Sequence, residues 1–531
     1  MEEKQFTLRS FFVGLFGLVI ITASSMYVAL KLGALPWPTV FVTVASLAIL
    51  NLFKKKPTLK EINVTHTFMS AGAMVAGGLA FTVPGFWMAE PDEVFPWFSM
   101  TVIAVSGALL GVLFTSLFRT ELIDKQKLPF PMGKAAYDTL IAGSKGGRNG
   151  LVLFSAMIAC VIFTVLRDMF GLIPAVVVLA PATALTCALT VYVSPMALGI
   201  GAMIGPVFSF VWLGGAIAAH YLLVPLLVKS GVVADFASAD LFRNGLGIGL
   251  MIGTGVGVAL KVVVTKVIDI FKSQDSRVSV DRRRVIAGVA VIAVVVALIS
   301  LFTEISFFQS ILMVVGIALV SYLSGTLTGQ TGVNPMEIFG ILVFLMVGVL
   351  LKTSFAGAFS IAAVTAVACG LTGDVMNDLK SGSLIGTSPK AQLVAESIGG
   401  VIGAIVAVAV LFVLKDAFGF GPGSTLPAPQ AVAVKAMADG QIDKVAMFIG
   451  ILLGIVLFLL KAPTATLGLG VYLPVYLSTV MGLGAVLLLV ARSCSKDKEG
   501  INAKAGLVSS GLLGGEGIAG VLIAIYSILT V

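Results

Sequence analysis

Asp374, Asp378 and Lys380 fall within seven residues of one another in GLTGDVMNDLKSGSLIGTSPKAQ, the segment from Gly370 to Gln392, and Asn377 stands between them. On a helix the two aspartates share a face at a four-residue spacing. Like charges that close oppose each other, so the pair is suited to taking up and releasing a proton. Lys380 can pair with either carboxylate or meet an anionic solute. The competing reading is a solvated loop whose charges serve only topology; the flanking glycines and the turn at Pro389 favour chemistry. Glu516 is the other strong candidate. It stands in GLLGGEGIAG with uncharged sequence from Ala505 to Gly515 before it and from Gly517 to Val531 after it. A carboxylate that deep in hydrocarbon costs a few kcal/mol unless it is paired or protonated.

Weaker candidates follow. Glu396 and Glu337 can be read as acids in a first helical turn, where the dipole favours them. His66, in EINVTHTFMSAG, reads as a hydrogen-bonded structural residue ahead of a proton relay, and it stays among the candidates. Tyr472 and Tyr476 flank Pro474 and face either a cavity or the membrane interface. Pro129 and Pro131, in LPFP, remove backbone donors and interrupt regular helix. Broken backbone at membrane depth has to be buried in protein or line a wet cavity, where it can offer its groups to a solute. The competing reading is an interfacial loop followed by an amphipathic helix carrying Lys134 and Asp138. Two histidines and four scattered cysteines, without CxxC spacing, suggest no metal centre, disulfide framework or cofactor.

The elements that must position these residues are membrane spans. Of the 531 residues, 58% are hydrophobic and 11% charged, against roughly 25% charged in a soluble domain, and the mean hydropathy is +1.09. The net charge of +8 sits in short loops between apolar runs, as the positive-inside rule expects, and does not indicate nucleic acid. Apolar segments are predicted near 11–30, 37–53, 67–83, 98–118, 150–170, 174–194, 205–228, 245–267, 285–302, 307–328, 336–351, 354–373, 391–414, 445–460, 467–490 and 506–530. The predicted fold is thus an all-α polytopic membrane protein of about 16 hydrophobic segments. The apolar stretch after the N-terminus, about twenty residues long, reads as a retained span, since it exceeds a signal-peptide core.

Two repeated halves are expected, residues 1–272 and 285–531, joined by a basic cytoplasmic linker at 273–284. LPFPMGKAAYDTLIAG (Leu128 to Gly143) echoes LPAPQAVAVKAMADG (Leu426 to Gly440). Pro195 and Pro206 are eleven apart around glycines, as are Pro463 and Pro474. GLGIGLMIGTGVG (Gly245 to Gly257) parallels GLLGGEGIAG (Gly511 to Gly520). A cytoplasmic N-terminus puts Lys54 to Lys56 and Arg282 to Arg284 inside. The basic loop from Arg492 to Lys504 then requires one re-entrant or additional crossing, and the halves can be inverted copies.

At these motifs the chain resembles the oligopeptide transporter (OPT) family, which includes peptide carriers and the yellow-stripe carriers of metal chelates. DVMNDLKSG (Asp374 to Gly382) with SPKAQ (Ser388 to Gln392) is similar to the family's Asp-x-Met-x-Asp-x-Lys-x-Gly signature, and LPFPMGKAA (Leu128 to Ala136) to its LPFP element. INVTHT (Ile62 to Thr67), LGLGVYLP (Leu467 to Pro474) and GLLGGEGI (Gly511 to Ile518) sit where opening and closing elements are expected. Lys134 stands where many members carry a small or uncharged residue, and the neighbourhood of His66 also departs from the family pattern. The resemblance implies many spans built by duplication and uptake of a small peptide or metal chelate coupled to protons. It also leaves a homodimer open.

The leading expectation is therefore a secondary transporter of the plasma (inner) membrane, working by alternating access, with protons as coupling ion and the solute held between the halves. Asp374, Asp378, Lys380 and Glu516 carry coupling or substrate charge. One alternative is a channel with a glycine-rich filter. Another is an intramembrane enzyme using Asp374 and Asp378 as acid and base. The shortage of histidines, the missing GxxxxGK[ST] loop and the lack of a soluble catalytic domain weigh against an enzyme.

Overall fold

Apolar chain in hydrocarbon must satisfy its own backbone groups, and a helix does so within one segment. A computed structural model describes residues 5–33, 39–144, 148–180, 189–272, 282–331, 334–439 and 443–530, almost all of them helical. Most of the expected basic linker, residues 273–281, lies outside the described residues, as does Cys187.

In the first half the order is α1 (Leu8–Leu32), α2 (Thr39–Leu50), α3 (Leu59–Ala80), α4 (Pro84–Ala89), α5 (Trp97–Arg119), α6 (Pro131–Ser144), α7 (Arg148–Thr164), β1 (Val176–Ala180), β2 (Leu189–Tyr192), α8 (Pro195–Ile204), α9 (Pro206–Ile217), α10 (Val224–Lys229) and α11 (Phe236–Lys272). The second half follows with α12 (Arg282–Phe302), α13 (Phe307–Thr331), α14 (Met336–Leu350), α15 (Phe355–Ile385), α16 (Pro389–Phe418), α17 (Pro429–Ala438), α18 (Lys444–Leu459), α19 (Thr464–Tyr472), α20 (Val475–Ser493) and α21 (Lys498–Thr530). Among the described residues nine helices are long and apolar enough to cross a membrane, and four shorter apolar helices join them. The protein is an all-α polytopic membrane protein. The expected sixteen segments are not matched one for one.

The clearest difference is the apolar segment expected at 174–194. Where it is described it is a hairpin, with Val176 opposite Tyr192 and Val178 opposite Thr190. A run of β-branched valines between Pro174 and Pro181 favours extended chain over helix.

The chain divides into two compact units, each assembled from both halves. Unit 1 comprises Met1–Leu151, Val264–Ala438 and Ala524–Val531; unit 2 comprises Val152–Val263 and Asp439–Ile523. In unit 1, α3 packs on α16 and α15 packs on α5. Both pairs are parallel: a Cβ at Gly399 would meet the Phe68 carbonyl and one at Gly403 would lie 2.5 Å from the Gly72 Cα, while Gly107 lies against Val367 and Gly111 against Ala368. Between the pairs, α3 and α15 are antiparallel, with Asn63 bonded to Ser381 and Ser70 to Asp378. In unit 2, α8 packs on α20 and α19 on α9. Gly249 and Gly253 lie against α18, whereas Gly511 and Gly515 lie against α7. The glycine-rich landmarks noted in the sequence are therefore positions of close helix approach.

The two LPxP elements are built alike. Phe130 and Ala428, the third residue of each, hold positive φ angles of 46° and 43°. Each donates its N–H across the chain, Phe130 to the Gly329 carbonyl near the end of α13 (2.9 Å) and Ala428 to the Leu30 carbonyl near the end of α1 (2.8 Å). The helix then restarts with proline at its first position, as in α6 and α17, where a missing N–H does no harm.

Candidate functional site

Three helices of unit 1 bring polar side chains together, each with a pair four residues apart: His66 and Ser70 from α3, Asp374 and Asp378 from α15, Gln392 and Glu396 from α16. Local sequence holds each helix in place. Thr58 caps α3 by accepting from Glu61 N–H, and Ser354 caps α15 by accepting from Gly357 N–H. Pro389 opens α16. The bare backbones at Gly72 and Gly403 let α3 and α16 touch, which carries Glu396 inward against the other two helices.

All six side chains are buried, and Glu396 has no exposed surface. His66 Nε2 lies 3.4 Å from Asp378 Oδ1, an ion-pair distance, and its Nδ1 lies 3.1 Å from Thr43 Oγ1. Ser70 Oγ donates to Asp378 Oδ2 at 3.1 Å. Gln392 Nε2 donates to Thr67 Oγ1 and to the Asp378 backbone carbonyl, at 3.1 and 2.7 Å. Glu396 lies within electrostatic range of both Asp374 and Asp378. Among the described residues, Asp374 Oδ2, Asp378 Oδ1, Gln392 Oε1 and both Glu396 carboxylate oxygens have no hydrogen-bond partner. Three buried carboxyl groups thus lie within electrostatic range of one another, and one of them, Asp378, faces the His66 imidazole. An isolated buried carboxylate is costly, and mutual repulsion adds to that cost. The arrangement is chemically able to hold and release protons.

The far face of the same α15 turn grips the LPFP element. Asn377 Oδ1 accepts the Gly133 N–H at 3.1 Å, and Lys380 Nζ donates to the Leu128 carbonyl at 3.0 Å. Lys380 therefore reaches backbone, and among the described residues it pairs with neither aspartate. Gly133 is required by this approach, because a Cβ there would collide with the Asn377 carbonyl. Pro129 and Pro131 are exposed on the outer side of this contact. Lys134 forms an exposed pair with Asp138 at 3.3 Å, in keeping with a solvated helix face.

Glu516 and Tyr472 belong to unit 2. Glu516 is fully buried and paired: Arg167 Nη2 donates to Oε1 at 2.8 Å, and Ser194 Oγ and Met196 N–H donate to Oε2 at 2.8 and 3.0 Å. Arg167 also reaches the Val193 carbonyl at 2.6 Å, so the ion pair secures the N-terminus of α8 after the hairpin. At the end of α19, Arg243 Nη1 donates to the Val471 and Tyr472 carbonyls at 2.6 and 2.8 Å, and His220 Nε2 lies 3.2 Å from the Leu473 carbonyl. Tyr472 is buried beside this capped break. Glu337 is buried in the first turn of α14.

Sequence reasoning reached Asp374, Asp378 and His66 but did not join them, and it ranked Glu396 low. It passed over Thr43, Ser70, Gln392, Arg167 and Arg243. One available signal was the four-residue repeat of a polar pair on each of α3, α15 and α16.

Comparison with known proteins places the chain in a family. The model of the family described as OPT oligopeptide transporter protein matches residues 5–246 and 269–527. A Haemophilus influenzae protein named "Putative oligopeptide transporter" is 27% identical over 94% of this chain and 92% of its own length. Plant proteins match more locally. The rice "Probable metal-nicotianamine transporter YSL9" is 23% identical over 45% of this chain and 40% of its own length, and the Arabidopsis thaliana "Metal-nicotianamine transporter YSL2" is 40% identical over 14% and 12%. These relatives are named as transporters rather than enzymes. With the family model spanning nearly the whole chain, the protein belongs to the oligopeptide transporter family.

Proposed function

We propose that this chain is a proton-coupled secondary transporter that imports small peptides or metal chelates by alternating access. The observation that carries the reading is the buried group of Asp374, Asp378 and Glu396, with His66 against Asp378, in which Asp374 Oδ2 and both Glu396 carboxylate oxygens meet no hydrogen-bond donor among the described residues. Three buried carboxyls beside one imidazole are costly as a set of charges, which suits the group to taking up and releasing protons. Asn377 and Lys380 connect the turn that bears Asp374 and Asp378 to LPFP, so a change in charge on α15 acts directly on a broken segment suited to meeting a solute. The substrate classes follow the names of the relatives. Glu516 is better suited to structure, since it pairs with Arg167, which Asp168 shares, and accepts from Ser194 and Met196.

Residues 1–272 and 285–531 are read as two copies of one ancestral half. Support comes from the matching positive-φ residues of the LPxP elements and the antiparallel packing of α3 on α15. A cytoplasmic N-terminus in the plasma membrane fits the basic stretch from Lys54 to Lys56.

The test is uptake into proteoliposomes. A thermal-shift screen against di- to tetrapeptides and iron or nickel chelates first identifies a ligand through stabilisation by mass action. Labelled ligand should then accumulate against its gradient when the lumen is alkaline and should equilibrate without a pH gradient. Accumulation indifferent to pH defeats the proposal.

A further inference from the structure

At the end of unit 1 where α3 and α16 begin and α5 and α15 finish, Gln5, Lys60, Arg119, Asp124, Ser383, Gly386, Thr387, Ser388 and Pro389 line a cavity of about 630 Å³. Two of the donors around it lack acceptors among the described residues. Thr387 is 4% exposed and its hydroxyl has no partner among the described residues. Arg119 Nε is buried and likewise unpartnered. No side chain caps α16, a helix of 30 residues whose N-terminus opens here. Its first residue is proline, leaving the following backbone N–H groups without an intrahelical acceptor and the positive end of the helix dipole bare. Lys60 adds an ammonium. The acceptors in the wall are already engaged: Asp124 takes Arg119 Nη1 at 2.6 Å, and Gln5 Oε1 takes the Ser388 N–H at 2.8 Å.

A buried donor left unbonded is a destabilising feature that natural proteins rarely keep without a partner. Here two such donors, an uncapped helix and a net positive charge border one hollow, and an oxyanion answers all of them. We infer that this cavity binds a phosphate-class oxyanion, held by Lys60, Arg119 Nε and Thr387 Oγ1 beside the N-terminus of α16. Two sources present that chemistry, the headgroup of an anionic lipid and a free phosphate. The cavity lies at the ends of membrane helices, where basic pockets meet headgroups. The site uses none of the carboxylates of the transport reading, so the two stand or fall separately.

The purified full-length chain in detergent provides the test, with thermal unfolding measured in inorganic phosphate, in phosphatidylglycerol micelles, and in chloride at equal ionic strength. The wild type should gain about 2–4 °C from at least one of the first two over chloride. Lys60→Gln and Thr387→Val, each compared with its own chloride baseline, should lose at least half of that gain. Thr387→Val removes a hydroxyl without a partner among the described residues, so its fold is retained. Stabilisation by phosphatidylglycerol alone assigns the site to a headgroup, and stabilisation by phosphate assigns it to a free anion. No gain from either, or a full gain kept by either variant, overturns the inference.

Discussion

Replacing Glu396 with glutamine separates charge from shape at the centre of the buried group. Glu396 is wholly buried, and neither of its oxygens accepts a hydrogen bond from the described residues. The substitution therefore removes an ionisable group without removing a bond, and it introduces amide donors beside Asp374 and Asp378. The melting temperature should hold or rise, because a buried carboxyl in range of two others is replaced by a neutral amide. Transport should behave differently. Each coupled proton contributes about 1.4 kcal/mol per pH unit to solute accumulation, a factor of about ten. With the membrane voltage clamped to zero and a one-unit pH gradient, the wild type should concentrate its ligand about tenfold for each coupled proton. If Glu396 carries one of them, E396Q should fall by about tenfold, and to simple equilibration if it carries the only one, while exchange of labelled for unlabelled ligand continues. The assay is labelled uptake into proteoliposomes at matched protein incorporation. A folded E396Q that still concentrates ligand at the wild-type ratio refutes the assignment of Glu396 to the coupling group.

Other perturbations test the supporting geometry. Gly133→Ala drives a methyl group into the Asn377 carbonyl, and the overpacking should cost about 1–3 kcal/mol, read as a lower melting temperature together with reduced uptake. Asn377→Ala leaves the Gly133 N–H without its acceptor, at about 1–3 kcal/mol; uptake falling further than ligand binding would mark the contact as part of the transport cycle. Arg167→Met removes the cation that the buried Glu516 carboxylate shares with Asp168 and should destabilise by about 3–5 kcal/mol. The double variant R167M/E516Q should recover part of that loss, and a double variant no more stable than R167M argues against a structural ion pair.

The spans were readable in the sequence because hydrocarbon makes each segment satisfy its own backbone, so the signal is local. The LPxP breaks were readable for a related reason: proline withdraws donors whatever surrounds it, and both copies do interrupt helix, at Phe130 and Ala428. The same local reasoning took residues 174–194 for a span, because hydropathy measures apolar content and is blind to the preference of consecutive valines for extended chain.

Asp374 and Asp378 could be placed on one helix face from their spacing alone, since the helical repeat sets which neighbours meet. Their partners could not. His66 lies more than three hundred residues earlier and Glu396 on the next helix, and their meeting depends on α3 running antiparallel to α15 and against the glycine face of α16. The opposite fate of Glu516 was equally hidden: as a lone acid in an apolar run it looked like Asp374 and Asp378, and only the packing of unit 2 brings Arg167 to pair with it. Whether a buried carboxylate anchors a helix or exchanges protons is decided by the charges and donors within a few ångströms, and these arrive from distant parts of the chain.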